Sequence, residues 1–274
     1  MRFLLRLILI GAAVLTMGYG ASTAYLFANQ DRLIFQTPGT DANEDAILDA
    51  MPGSLRVSFK TSDGQVLAGW YRAPQVAGQP VFIFFHGNIG GLDRAKWRWK
   101  RVFERGAGVF AFSYRGYPGS TGRPSEDGLH EDAGAAYRWV REKHPADEIV
   151  LHGLSLGSGV AAKLATEVDA QALILEAAYT AVSDVAAERY TWLPVQTLLG
   201  DRFPTRDIIG DVRMPVLIAH GTDDSVIPFA HAKRLFARAP EPKVLVEIAG
   251  GDHSTLVRDG LYGHVWAFLK KLNP

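Results

Sequence analysis

The amino-acid sequence predicts an α/β fold in which a mostly parallel central sheet is covered by helices on both faces. Short apolar runs alternate along the chain with segments at helical spacing, which is the order of a parallel sheet. The run Val81–Phe85 contains no polar residue and therefore suits a strand buried on both faces. The run that ends at Gly153 leads directly into a small-residue helix, as a sharp strand-to-helix turn requires.

Composition excludes several classes of function. The 274 residues carry 29 Lys and Arg against 29 Asp and Glu, a balance that does not indicate nucleic acid as a partner. The absence of cysteine excludes a Cys nucleophile, disulfides and thiolate metal sites. Neither a phosphate-binding Gly-Lys-Ser/Thr loop nor a cluster with metal-ligand spacing stands out. We therefore expect no cofactor and no metal.

The amino terminus predicts a membrane anchor over residues 1–30. Arg2 and Arg6 precede an uncharged, mostly apolar run at 7–30, and a helix needs roughly 20 residues to cross a bilayer. A cleaved signal peptide is the alternative, but candidate cleavage sites such as Gly18-Tyr19-Gly20 fit poorly. The positive charges before the run favour a cytoplasmic amino terminus. We expect a single-pass protein whose folded domain lies on the non-cytoplasmic side.

The rest of the chain divides into a juxtamembrane connector, residues 31–53, and a folded domain, residues 54–274. The domain opens with an antiparallel hairpin over 55–61 and 66–72, turned by Ser62-Asp63-Gly64. Further apolar runs predict the remaining strands at 81–85, 109–114, from Ile149, 172–176, 216–220 and 244–248. Ser125 can cap a helix that runs to about residue 143.

Two segments leave alternatives open. Residues 94–105 predict a basic helix with Trp97 and Trp99, which we interpret as a solvated face, with contact to anionic lipid headgroups as the alternative. Residues 177–213 break the alternation of strands and helices and are rich in large apolar side chains. They predict either a helix packed over the sheet or a short lid that contributes an apolar pocket.

The sequence Gly-Leu-Ser-Leu-Gly at 153–157 provides the first candidate for chemistry. Between a strand and a helix, this pattern predicts a strained turn that exposes the hydroxyl of Ser155 as a nucleophile. The backbone N–H of Leu156 would then face the oxygen that becomes negative when the hydroxyl attacks a carbonyl carbon. The glycine-bearing loop after the 81–85 strand is placed to supply a second donor, which we assign to the backbone N–H of Asn88.

An acid and a histidine follow the serine, each in a loop after a parallel strand. Asp224 follows the 216–220 strand and His253 follows the 244–248 strand. His253 can take the proton of Ser155, while a buried Asp224 holds the imidazole in the required tautomer. Asp223 and Glu176 are weaker candidates for the acid. The histidines that end strands are predicted to be structural, namely His86, His152 and His220.

These motifs resemble the α/β-hydrolase fold and, more narrowly, the membrane-anchored bud-emergence-type serine hydrolases of the abhydrolase-domain group. The discriminating part is Tyr114-Arg115-Gly116-Tyr117 with the downstream Pro124-Ser125-Glu126, because the other motifs occur across many α/β-hydrolases. The resemblance covers residues 33–272 and departs at Pro118, where a glycine is more usual. By position, it implies a triad of Ser155, Asp224 and His253. Members of the family include esterases and fatty-acyl thioesterases.

We therefore predict a membrane-anchored serine hydrolase that cleaves ester or thioester bonds of a small-molecule or lipid-like acyl substrate through an acyl-enzyme. A serine peptidase on the same scaffold is the nearest alternative, although such peptidases usually bring a separate amino-terminal gating domain. A non-catalytic membrane-tethered scaffold is the alternative from a different class, but a scaffold has no physical need of three converging polar groups. A dehalogenase would need a carboxylate in place of Ser155.

Overall fold

One eight-stranded sheet organises the structure, a computed structural model that describes residues 1–37, 47–49, 51–89 and 92–272. All eight predicted strands are present, with ends shifted by no more than two residues. They are β1 (Leu55–Lys60), β2 (Val66–Arg72), β3 (Val81–Phe85), β4 (Gly108–Phe112), β5 (Ile149–Leu154), β6 (Ala172–Glu176), β7 (Val216–Gly221) and β8 (Lys243–Ile248). Their order is β1-β2-β4-β3-β5-β6-β7-β8, in which the β1–β2 and β2–β4 pairs are antiparallel and the others parallel.

The helices fall between the strands, as the alternation predicts. Within the described ranges they are α1 (Arg2–Ala28), α2 (Gln30–Ile34), α3 (Lys96–Phe103), α4 (Glu126–Arg141), α5 (Leu156–Ala165), α6 (Val182–Arg189), α7 (Val195–Leu198), α8 (Thr205–Ile208), α9 (Ala230–Arg238) and α10 (Leu261–Leu272). The predicted cap of α4 is formed, because Ser125 Oγ accepts a hydrogen bond from the backbone N–H of Gly128 at 3.1 Å.

Side chains that alternate along β3 fill two separate cores, one on each face of the sheet. Ile83 and Phe85 pack in the core that also contains residues of α4 and α5. Phe82 and Phe84 pack in the core that also contains residues of α3 and α10. All of these side chains are almost completely buried. The predicted sheet with helices on both faces is confirmed, and this arrangement leaves the carboxyl ends of the parallel strands as the open edge.

The amino-terminal helix stands apart from these cores. α1 has 27 residues, none of them buried, and by length and composition it is long and apolar enough to cross a membrane. The chain returns to the body directly afterwards: Ile34 and Phe35 are buried in the α4–α5 core, and the Phe35 ring meets Phe203 edge to face. Part of the predicted 31–53 connector, residues 38–46 and 50, lies outside the described residues.

The basic helix differs from the expected solvated face. In α3, Arg98 is 8% and Trp99 is 1% exposed, whereas Trp97 is 60% exposed. Arg98 turns inward because Glu176, fully buried at the end of β6, needs a counter-charge, and the two side chains form a bidentate ion pair. The prediction of a solvated face is therefore wrong for Arg98 and Trp99. The helix is also shorter than the predicted 94–105.

Candidate active site

The turn between β5 and α5 holds Ser155 in a conformation that L-residues rarely adopt, with φ 50° and ψ −120°. Its two flanking glycines are required by close backbone contacts. A Cβ atom on Gly153 would lie 2.4 Å from the carbonyl oxygen of Gly157, and one on Gly157 would lie 2.1 Å from the carbonyl oxygen of Phe85. The strand and the helix can meet only without these side chains, and their meeting keeps the serine in its strained turn.

In the structure Ser155, His253 and Asp224 lie side by side, with His253 between the other two. His253 Nε2 lies 3.1 Å from Ser155 Oγ, and His253 Nδ1 lies 2.8 Å from Asp224 Oδ2. The other carboxylate oxygen of Asp224 accepts hydrogen bonds from the backbone N–H groups of Val226, at 2.9 Å, and Ile227, at 2.8 Å. Because the carboxylate is an acceptor, the proton of His253 belongs on Nδ1, which leaves Nε2 able to accept the serine proton.

His220 adds a further contact to the acid. Its Nε2 lies 3.2 Å from Asp224 Oδ2 and 2.8 Å from the carbonyl oxygen of Ile227. Burial opposes ionisation of Asp224, but the hydrogen bonds from His220, His253 and Ile227 and the attraction of His253 outweigh it. They hold the pKa of the Asp224 carboxyl well below its usual range. The side chain predicted as structural is thus a neighbour of the candidate acid.

The predicted oxyanion donors, the N–H groups of Leu156 and Asn88, border the same space as Ser155. Leu156 begins α5, and neither N–H hydrogen-bonds to another of the residues that the structure describes. The peptide that carries the Asn88 N–H is fixed by its own carbonyl, Gly87 O, which lies 2.7 Å from His86 Nδ1. Since C=O and N–H point in opposite directions in a trans peptide, the Asn88 N–H faces away from His86.

Aromatic side chains from the loop after β4 brace this oxyanion loop. Tyr117 donates its hydroxyl to Asn88 O at 2.9 Å, and Tyr114 donates its hydroxyl to His86 O at 3.3 Å. The backbone N–H of Tyr114 points at His86 Nε2 over 3.4 Å, and burial lowers the pKa of His86 to about 4, so the ring is neutral. Sequence reasoning used this Tyr-Arg-Gly-Tyr stretch only for the resemblance and assigned it no role. The signal available in the sequence was the pair Tyr114 and Tyr117, which follows the buried strand β4 and could have been assigned to a loop at the site.

The weaker acid candidates do not reach the histidine. Glu176 is taken up by Arg98 and by His152 Nε2, which lies 3.2 Å from its Oε2. Asp223 instead accepts a hydrogen bond from the neighbouring Thr222 hydroxyl. In the part of the chain that the structure describes, neither of these carboxylates contacts His253. Of the three candidate acids, only Asp224 therefore has the geometry of a triad acid.

Two cavities border Ser155. The first, about 590 Å³, is called the apolar cavity here; its lining includes Leu26, Leu33, Val185, Leu193 and Leu198. The second, about 560 Å³, is called the basic cavity; its lining includes Trp97, Arg101, Val257 and Arg258. Both also border Asn88, Ile89, Ser155 and His253. No three His, Asp or Glu side chains converge as metal ligands within the described ranges.

Comparison with known proteins agrees with this fold. The family model of the α/β hydrolase fold matches residues 80–205. An uncharacterised protein of Mycobacterium tuberculosis is 37% identical over 236 residues, which cover 84% of this chain and 82% of that protein. The chain belongs to the α/β-hydrolase family. An esterase from Pyrococcus furiosus, 17% identical, superposes with a TM-score of 0.71 over 87% of this chain and 97% of its own, which confirms the fold.

Relatives with assigned names belong to the same hydrolase family. The lysophosphatidylserine lipase ABHD12 of Danio rerio is 31% identical over 198 residues, or 65% of this chain. The matched region spans 52% of that lipase, about half its length. The predicted enzyme class, a hydrolase that acts on ester bonds, agrees with the esterase and lipase among these proteins.

Proposed function

We propose that this protein is a serine hydrolase that cleaves carboxylic ester or thioester bonds through an acyl-enzyme. The observation that carries the proposal is the continuous series of hydrogen-bond distances from Asp224 through His253 to Ser155, on a strained turn that borders both cavities. A serine hydroxyl needs an adjacent base to act as a nucleophile at neutral pH, and this series provides one.

The proposed reaction proceeds in two halves. Ser155 Oγ attacks the acyl carbon as His253 Nε2 takes its proton, and the N–H groups of Leu156 and Asn88 stabilise the resulting oxyanion. His253 then protonates the leaving alcohol or thiol, and the acyl-enzyme remains. A water molecule that gives its proton to His253 attacks the acyl carbon next, which releases the acid and restores Ser155. Asp224 stays ionised throughout and stabilises the protonated imidazole.

We propose a lipid-like acyl ester as substrate. The apolar cavity suits an acyl chain, and its volume lies within the range of about 300–1,000 Å³ that is usual for small-molecule sites. The basic cavity suits a polar leaving group, since Arg101 and Arg258 line it, each paired with a neighbouring carboxylate, Glu104 and Asp259 respectively. The printed activity of the ABHD12 relatives, a lysophosphatidylserine lipase, is compatible with that pairing. Equal rates on short soluble esters and long-chain esters would contradict it.

We propose that α1 is retained as a membrane anchor, residues 1–30, joined by residues 31–53 to a catalytic domain at 54–274. Two contacts between the helix region and the lid segment 177–213 support retention: Tyr19 meets Trp192 edge to face at 6.0 Å, and Gln30 Oε1 accepts from the N–H of Gly200 at 2.9 Å. Cleavage within the apolar run would break at least the first of these.

The proposed orientation, with the catalytic domain on the non-cytoplasmic side, has a direct test because the chain contains no cysteine. Glu142 is well exposed on the domain surface, so Glu142→Cys provides a single thiol. In intact cells, a membrane-impermeant maleimide should label this variant as strongly as after lysis. Labelling only after lysis would place the domain in the cytoplasm.

Fluorophosphonate labelling tests the proposed function as a whole. The detergent-solubilised full chain should react covalently, Ser155→Ala should not, and Ser254→Ala, which removes a neighbouring hydroxyl, should label like the wild type. A folded wild type that fails to label would favour the non-catalytic scaffold. Labelling accompanied by cleavage of peptide amides but not of esters would favour the serine peptidase.

A further inference from the structure

The carboxyl-terminal end of the anchor helix borders the candidate catalytic serine. The lining of the apolar cavity includes Thr23, Leu26 and Phe27 of α1, and it also includes Ser155 and His253. The lining also includes Val182, Val185, Ala186, Leu193, Val195 and Leu198, from the segment 177–213 that the sequence predicts as either a packed helix or a short lid. The cavity that borders the nucleophile is therefore lined both by the carboxyl-terminal end of α1 and by residues of the 177–213 segment.

The spacing of the α1 residues in the cavity lining shows that one face of the helix contributes them. Thr23, Leu26 and Gln30 are partly covered, whereas every residue from 1 to 22 is exposed. Intervals of three and four residues keep side chains on the same face of a helix. The same lining continues into α2 through Leu33 and Ile34. The covered stripe begins abruptly and then persists to the body of the protein.

The position where the stripe begins coincides with the edge of a bilayer. A hydrocarbon core takes up about 20 residues of helix, so an anchor whose uncharged run begins at Leu7, after Arg6, leaves the core near residue 26. Tyr19 and its partner Trp192 lie about two helical turns before that level, and both residue types favour the membrane interface. Trp192 is 51% exposed, as a side chain that faces lipid headgroups would be. The apolar cavity thus lies at the membrane surface.

The end of α1 is also connected to the oxyanion loop. The backbone N–H of Gln36, two residues after α2, donates to Asn88 O at 3.2 Å, and residues 36 and 89 form an isolated parallel bridge. The anchor region is therefore attached to the lid at Gly200 and to the oxyanion loop at Asn88. These attachments hold the helix wall at a fixed distance from Ser155.

We propose that the 23–34 segment is the membrane-side wall of the acyl-binding site and selects for acyl chain length. The acyl chain of a bilayer-resident ester lies between this wall and the lid segment, while its carbonyl carbon reaches Ser155. This inference rests on the proposed ester hydrolysis and adds that the anchor is part of the substrate site. The acyl chain of the substrate then needs to pass only from the bilayer into a cavity that is lined by the same helix.

A volume-filling variant tests the wall directly. Leu26→Trp adds bulk inside the cavity, and Leu15→Trp is the matched control, because 11 residues are close to three helical turns and place position 15 on the same face outside the cavity lining. The full-length proteins in detergent micelles are compared on p-nitrophenyl acetate and p-nitrophenyl octanoate. Leu26→Ala, which removes volume instead, separates added bulk from loss of the leucine.

We expect Leu26→Trp to lower kcat/KM for the octanoate by about tenfold to a hundredfold and to lower that for the acetate far less, since small volume changes in apolar pockets have effects of this size. Leu15→Trp should resemble the wild type on both esters, and Leu26→Ala should retain more octanoate activity than Leu26→Trp. An unchanged octanoate rate in Leu26→Trp, or an equal loss of rate on both esters, would overturn the proposal that this segment lines the acyl-binding site. A wild type that hydrolyses neither ester would overturn the proposed function itself, and the wall with it.

Discussion

Two carboxylate–histidine pairs lie at the ends of adjacent strands, and only one of them faces the nucleophile. Glu176 ends β6 and meets His152, while Asp224 follows β7 and meets His253. In both pairs the carboxylate is buried and its pKa is held below its usual range. From the sequence alone, the two acids were competing candidates. The structure separates them by what lies beyond each histidine.

The difference lies in the counter-charge. Burial raises the pKa of Glu176, but Arg98 and His152 outweigh it and bring the pKa to about 2, so the charge is neutralised inside the protein. Asp224 has no Arg or Lys within ion-pair distance among the residues described, and it is stabilised by N–H groups and two histidines. A carboxylate balanced by a permanent cation stabilises the fold, whereas one balanced by a histidine can stabilise a proton that arrives during catalysis.

Replacing the acid beside His253 should have the largest effect on activity. Asp224→Asn keeps the shape of the site but loses the charge and favours the wrong imidazole tautomer, so we expect kcat to fall about ten-thousandfold. Asp223→Asn, one residue away, is the matched control and should retain wild-type kcat. Ester hydrolysis with a p-nitrophenyl substrate measures both. Comparable losses in the two variants would remove Asp224 from its assigned role.

Replacing the acid beside His152 should change stability instead. Glu176→Gln leaves Arg98 buried without its partner charge, and we expect a loss of about 3–5 kcal/mol in the free energy of unfolding. The exposed pair Arg101–Glu104 provides the control, because Glu104→Gln should cost no more than about 1 kcal/mol. Denaturant unfolding gives both values. A folded Glu176→Gln protein with a greatly reduced kcat would contradict the assignment of a structural role to Glu176 and a catalytic role to Asp224.

A smaller effect is expected from the histidine behind the acid. His220→Leu removes an Nε2 group that lies 3.2 Å from Asp224 Oδ2 and hydrogen-bonds to the carbonyl oxygen of Ile227, and losing a polar partner of a charged group costs about 1.5–3 kcal/mol. We therefore expect kcat to fall about tenfold to a hundredfold, and His220→Gln, which can still donate, should recover part of it. Equal kcat values in the two variants would show that this donor does not position Asp224.

The smallest effect concerns acid stability. Because the pKa of Glu176 is lowered in the folded state, its stabilisation is complete above its ordinary value of 4.5 and is lost as the pH falls toward about 2. Wild-type Tm should therefore decrease more steeply than that of Glu176→Gln between about pH 5 and about pH 3. Parallel decreases would mean that the Glu176 carboxylate does not contribute in this window.

Local signals were sufficient for the sheet and for the chain order of the candidate triad. Apolar runs predicted every strand, and each strand-end loop supplied its residue, because the carboxyl ends of parallel strands converge. The inward turn of Arg98 could not be predicted, because the sequence pattern around a basic residue does not show whether its side chain faces water or a buried acid. The place of Leu26 in the lining of the apolar cavity was equally hidden, because an apolar residue in a membrane-length helix predicts contact with lipid until the neighbouring 177–213 segment is seen.

The burial of Phe35 has a consequence for anyone preparing a soluble version of this enzyme. Removing α1 at a boundary chosen by hydropathy, with a new start at residue 54, would also discard Ile34, Phe35 and Gln36. The Phe203 ring would lose its edge-to-face neighbour, and Asn88 O would lose one of its two hydrogen-bond donors. Weak turnover by such a shortened protein would then report a damaged hydrophobic core and a loosened loop, and should not be taken as evidence against the chemistry.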